Sequence, residues 1–207
     1  MESGTQTEKH SVMKNVQYFT VRIIMKVLIA CEFSGIVRDA FIEHDHDTWS
    51  CDLLDSERPG NHIIGDVLGI LDDGWDLMIA HPPCTYLAVS GARWFKYRQQ
   101  EQRDALNFVR ILLNANIPKI ALENPVSVIS THIRKPDQYI QPWQFGHPET
   151  KKTGLWLKNL PKLQPTDIVS GRDNRIHREP PSKDRWKNRS RTLPGIANAM
   201  ADQWGKL

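Results

Sequence analysis

At 207 residues, 40% of them apolar and 25% charged, the chain has the size of one ordinary domain with its own hydrophobic core, and little room for a second. No apolar run approaches the ~20 residues that span a bilayer, and residues 1–16 are polar, without a signal-peptide core. No membrane partner is therefore expected, and a cytoplasmic location is. Three cysteines, Cys31, Cys51 and Cys84, without a CxxC pair argue against a disulfide framework or a structural zinc site. The histidines His44, His46, His62, His81, His132, His147 and His177 lack HExxH or comparable spacing, so no metal is expected. The net charge of +3 is unevenly spread: residues 151–187 are rich in Lys and Arg, broken by prolines and by Trp156 and Trp186. A polyanionic partner such as nucleic acid fits that bias, and so does a solvated surface.

In chain order, residues 1–24 read as a loose leader and residues 25–207 as a single domain. Residues 21–30 (VRIIMKVLIA) are rich in β-branched side chains and predict a buried strand, followed by a turn at Cys31-Glu32-Phe33-Ser34-Gly35. Ile36, Val37, Ala40 and Phe41 form an apolar face at helical spacing over 36–44. Short strands are predicted at 48–52 and 120–122, and a buried one at 76–80 that stops at Pro82-Pro83. A helix at 100–114 points Ala105, Phe108, Val109, Ile111 and Leu112 inward. Beyond about residue 130 the pattern breaks into long loops with short elements, an irregular basic region at 131–187. A closing helix at 194–204 starts on Pro194 and carries Ile196, Ala197, Met200 and Trp204 on one face. There is no internal repeat. Strands alternating with helices imply an α/β, Rossmann-like fold, its sheet mostly parallel with helices on both faces. Gly35, Asp52, Asp66, Pro83 and Asn124 all fall at strand ends, where ligands of such sheets bind.

Cys84 carries the most chemistry. It follows a buried strand and two prolines that stiffen the backbone, a setting that suits a nucleophile; the competing reading is a small buried hydrophobe. As a nucleophile it needs surroundings that lower the thiol pKa. Glu123 ends an apolar strand, where burial is expected to raise its pKa and make it a proton donor; it reads equally as a cap. Gly35 permits close backbone approach to a ligand. Asp52 is placed to bind ribose hydroxyls and Asp66 an adenine amino group. Each taken alone also fits a solvated turn. Trp94, Trp143 and Trp156 suit either base stacking or the core, His81 either tunes the thiol or caps its strand, and Ser90-Gly91 reads as a turn.

Phe33-Ser34-Gly35, Asp52, Gly65-Asp66-Val67, Pro83-Cys84 and Glu123-Asn124 occur in the order and rough spacing of the cytosine-C5 DNA methyltransferases, which this chain resembles over about residues 26–125. Arg189-Ser190-Arg191 looks like that family's Arg-x-Arg element, and the 194–204 helix like its closing motif. The resemblance implies S-adenosylmethionine as cofactor, held by Phe33, Ser34, Gly35, Asp52, Asp66 and Pro83, and DNA with a flipped cytosine as partner. Cys84 would add to C6, Glu123 would serve N3, and Arg189 and Arg191 would hold the base or its phosphate. Four features depart from the family: Val37 and Arg38 replace two glycines, Thr85 stands where Gln follows Pro-Cys, Pro125 stands where Val follows Glu-Asn, and the space for target recognition is far smaller. The pattern is most similar to small bacteriophage and prophage methyltransferase-like proteins, which would act in the cytoplasm of a bacterial host. The sequence leaves oligomeric state open, with a monomer assumed. Two other readings remain. One is an amino-methyltransferase, to whose Asp/Asn/Ser-Pro-Pro-aromatic motif His81-Pro82-Pro83-Cys84 is partly similar; the other is a non-catalytic nucleic-acid or nucleotide binder.

Overall fold

The computed structural model describes residues 23–207; most of the predicted leader lies outside that range. Seven strands form one sheet: β1 (Lys26–Ala30), β2 (Asp47–Asp52), β3 (His62–Ile64), β4 (Leu77–Ala80), β5 (Lys119–Pro125), β6 (Gln138–Ile140) and β7 (Thr153–Lys158). Their order is β3-β2-β1-β4-β5-β7-β6. The first five pair in parallel, and β7 runs antiparallel to both β5 and β6. This is the doubly wound α/β arrangement expected, and the strand order reverses direction between β1 and β4. That reversal opens a crevice at the carboxyl ends of the strands.

The helices are α1 (Ile36–Ile42), α2 (Gln99–Leu113), α3 (Ile129–His132), α4 (Arg175–Arg178), α5 (Arg185–Ser190) and α6 (Pro194–Trp204). Because strand side chains alternate, each face of the sheet has its own core. Val27, Ile29, Leu77, Ile79 and Leu155 pack with Phe41 of α1 and with Met200 and Trp204 of α6. Leu28, Met78, Ile120, Leu122 and Trp156 pack with Leu106, Val109 and Leu112 of α2. These two cores are built of aliphatic and aromatic side chains, and each fully buried Leu or Ile contributes roughly 1.5–3 kcal/mol.

Several expectations change in detail. The first strand starts at Lys26, whose N–H donates to Asp76 Oδ2 at 2.7 Å; residues 21–22 lie outside the described range. On α2 the inward set is Leu106, Val109 and Leu112, while Ile111 turns outward. The largest correction falls in the supposed loop region, where Thr153–Lys158 is an interior strand and its Trp156 is fully buried. Trp156 donates from Nε1 to the Arg134 carbonyl at 2.8 Å, so it is a core residue and takes no part in stacking on bases.

Candidate active site

The turn after β1 is built around two charged side chains that are both buried. Glu32 Oε1 accepts the N–H of Val37 at 2.8 Å and the hydroxyl of Ser34 at 3.0 Å, and Oε2 accepts the N–H of Arg38 at 3.2 Å. The free amides at the start of α1 are thereby satisfied by the chain's own carboxylate. Arg38, one of the residues in place of a family glycine, has no exposed side-chain surface. Its guanidinium donates to Asp39, Ser50, Ser56 and the Pro59 carbonyl. It passes directly under Gly35, where a Cβ would lie 2.6 Å from Nη2. Gly35 is therefore required twice over, by that contact and by its φ of 70°. The substitution has turned a glycine loop into one propped from below, and the prop reaches across to the loop that carries Glu57. That loop is tied back by the Glu57 N–H to the Phe33 carbonyl at 2.8 Å.

A cavity of roughly 620 Å³ opens at the carboxyl ends of β1, β4 and β5. Cys84, Glu123, Arg189 and Arg191, brought from three separate segments, all line it, and so do Phe33, Ser34, Asp52 and Pro83. Gly35 does not line it, although its neighbours Phe33 and Ser34 do. Asp66 stands apart: its Oδ1 accepts the Leu68 N–H at 3.0 Å and caps the 3-10 turn Val67–Ile70. At the end of β2, Asp52 Oδ1 accepts the Leu54 N–H at 3.0 Å. Burial raises its pKa, against the pull of that amide and of His62.

At the other end, the β4 turn is held by Asn124, which donates from Nδ2 to the Pro82 carbonyl at 3.0 Å. The same turn places His81 against Glu123, with Nδ1 and Oε2 3.1 Å apart and only about a tenth of either side chain exposed. Burial raises the Glu123 carboxyl, but the His81 hydrogen bond and the charge of Lys151 more than offset it, leaving the pKa below its ordinary value. This is opposite in direction to the rise expected from burial alone. Cys84 also departs from expectation. Desolvation first and Glu123 second push its thiol up, and Lys151 and Arg189 only partly oppose them. The sulfur is nonetheless reachable, whereas Cys51 is buried and pushed up to about 11, and Cys31 is pushed higher still by burial.

Lys151 is a site residue that the sequence reading passed over. It precedes β7, whose register sets Thr153 opposite Pro125 and Leu155 opposite Glu123, so a basic residue from the supposed loop arrives beside the carboxylate. The two arginines have different positions. Arg191 is bound to Glu57 through Nε at 2.8 Å and Nη2 at 2.6 Å, while Arg189 has no hydrogen-bond partner among the described residues and its charge reaches Cys84. Between them, α5 lies over the cavity mouth. Trp186 meets Phe33 with ring centroids 5.7 Å apart, and Lys187 Nζ sits 5.8 Å from the Phe33 ring. Trp94 is exposed, and Trp143 carries the Arg172 guanidinium at 4.0 Å.

The cavity suits a long ligand with an aromatic end and a diol. The Asp52 carboxylate stands ready for hydroxyls, Phe33 offers a ring, and the propped loop holds its shape. The α1 N-terminus offers no amides to an anion, since Glu32 has taken them. No family model matches the chain, and no curated protein matches it. Among solved structures it is similar to a protein provisionally described as a DNA modification methyltransferase encoded within a prophage of E. coli. The two are 13% identical with a TM-score of 0.46, covering 70% of this chain and 53% of the other. The chain thus spans about half the length of that protein, and a likeness so distant bears on neither chemistry nor substrate.

Proposed function

We propose that this chain transfers a methyl group from S-adenosylmethionine to C5 of cytosine in DNA, with Cys84 as the nucleophile. The observation that supports it best is the single cavity joining Phe33 and Asp52 at one end to Cys84, Glu123 and Arg189 at the other. Phe33, Ser34 and Asp52 hold the cofactor, Asp52 taking the ribose hydroxyls. The cofactor supplies an electrophilic methyl group. Cys84 adds to C6, which places electron density on C5. Pro82 and Pro83 fix the turn that presents the sulfur, and Asn124 locks it. Arg189 and Lys151 face the site as cations and stabilise charge that develops on the base or the thiolate. Loss of the C5 proton with departure of Cys84 restores the ring. The target base has to leave the helical stack to reach a sulfur set at this depth.

The test is transfer of a labelled methyl group to DNA by the wild-type chain and by Cys84→Ser, together with trapping on DNA that contains 5-fluorocytosine. Methylated DNA and a covalent Cys84 adduct are expected from the wild type, and neither from Cys84→Ser. The raised thiol pKa favours a second reading, an amino-methyltransferase that needs no nucleophile. Full methylation by Cys84→Ala without any adduct in the wild type would establish that reading instead.

A further inference from the structure

We propose that His81 is the base of this site, its Nε2 taking the proton that the incoming methyl group displaces. The proposal rests on the cytosine-C5 reading above. It starts from one residue: His81 lines the cavity, and its Nε2 is buried with no hydrogen-bond partner among the described residues. An unpartnered buried ring nitrogen is costly, and at the floor of a cavity it marks the place of a ligand atom. The other ring nitrogen is engaged by Glu123 Oε2 at 3.1 Å. A carboxylate oxygen only accepts, so the imidazole carries its proton on Nδ1 and donates it to Glu123. That leaves the Nε2 lone pair free to accept a proton. This is the arrangement of a base oriented by a third group, here with Glu123 as the positioning residue.

The chemistry requires such a base. Once C5 has accepted a methyl group from the sulfonium donor, it carries both methyl and hydrogen, and C6 carries Cys84 Sγ. The C5–H bond breaks, its electron pair forms the C5–C6 double bond, and the C6–S bond breaks with its pair staying on sulfur as thiolate. The proton passes to Nε2, giving an imidazolium that Glu123 stabilises and that later releases its proton to solvent. Glu123 itself is poorly suited to the task, since one of its oxygens is held by His81 and Lys151 stands near it. The charged and titratable groups that share the cavity lining with His81 are Glu123 on β5, Lys151 and Lys152 ahead of β7, Cys84 on its own turn, Cys31 and Glu32 beyond β1, Asp52 on β2, His177 on α4, Arg189 on α5 and Arg191 just after it.

5-Fluorocytosine separates this role from a structural one, because fluorine replaces the hydrogen that the base removes. His81→Asn keeps a donor near the Nδ1 position for Glu123 and has nothing at Nε2; His81→Gln is the second variant. Both are expected to form the Cys84 adduct on 5-fluorocytosine DNA at a rate close to wild type. On ordinary cytosine both are expected to lose turnover by roughly 10²-fold or more, and the acid limb of the wild-type pH profile is expected to disappear. Full turnover in His81→Asn, or equal loss of trapping and turnover in both variants while they remain folded by circular dichroism, would overturn the proposal. Absence of both adduct and methylation in the wild type would instead remove the underlying cytosine-C5 reading.

Discussion

The buried guanidinium of Arg38 offers a quantitative check on how the loop after β1 is held. Replacing Arg38 by Met keeps the aliphatic stem and deletes the charged head. Bonds to Asp39 at 2.7 and 2.9 Å, to Ser56 at 3.1 Å and to the Pro59 carbonyl at 2.8 Å are lost. Asp39 keeps Arg58 at 3.1 Å and is partly exposed, and Ser56 keeps the Arg58 carbonyl at 2.8 Å, so those losses are partly offset. The Pro59 carbonyl has no substitute within the chain, but Pro59 lies at the surface and water takes up part of that bond, so its loss costs about 1 kcal/mol. With the weakened Asp39 and Ser56 contacts, the net loss is about 2–4 kcal/mol. At a urea dependence of about 2 kcal/mol per molar for a domain of this size, the unfolding midpoint should fall by about 1–2 M. Urea titration followed by tryptophan fluorescence measures it. A midpoint shift under about 0.3 M with unchanged slope would show that the guanidinium is not what supports this loop.

Other outcomes follow from the same contacts. Glu57→Gln breaks the partly exposed pair with Arg191 and should cost less than about 1 kcal/mol, yet it should loosen α5 and change Trp186 fluorescence. Arg191 holds the Glu57 carboxyl below its usual range, so the pair's contribution is complete above the unfolded glutamate pKa and fades as the pH falls through the folded one; an acid titration of the fluorescence should show this step in the wild type and not in Glu57→Gln. Glu123→Gln removes a charge that raises the Cys84 thiol, so alkylation of Cys84 by iodoacetamide at neutral pH should quicken severalfold, read by mass spectrometry, while Cys51 stays unmodified. A Cβ at Gly195 would overlap the Phe145 carbonyl oxygen and press on His147, which accepts the Gly195 N–H at 2.9 Å. Gly195→Ala should therefore lower the melting temperature by several degrees, and an unchanged melting curve would contradict the packing at the start of α6.

The parts of the fold legible in the sequence were those whose signal is local. The apolar runs of β1 and β4 and the face of α6 declared themselves because burial on a strand or helix leaves a short-range period. β7 did not. Its six residues, TGLWLK, sit among prolines and lysines, and only pairing with β5, which lies 28 positions earlier at its start, makes them a strand. The three-residue β3 and β6 were hidden by their length. In the site, the positions of Cys84, Glu123 and Asp52 could be read because each ends a strand. Their ionisation could not. Burial was foreseeable at Glu123, but His81 and Lys151 reverse its effect, and Lys151 arrives only through the β5–β7 register.

The antiparallel insertion of β7 also governs when the site comes into being. Cys84, His81 and Glu123 are all synthesised before residue 125, yet Lys151 and Arg189 join them only after β7 has wedged between β5 and β6 and α6 has closed against α1. Such non-local pairings form late in folding. The full cavity lining, Lys151, Arg189 and Arg191 included, therefore exists only once the last segments of the domain have docked.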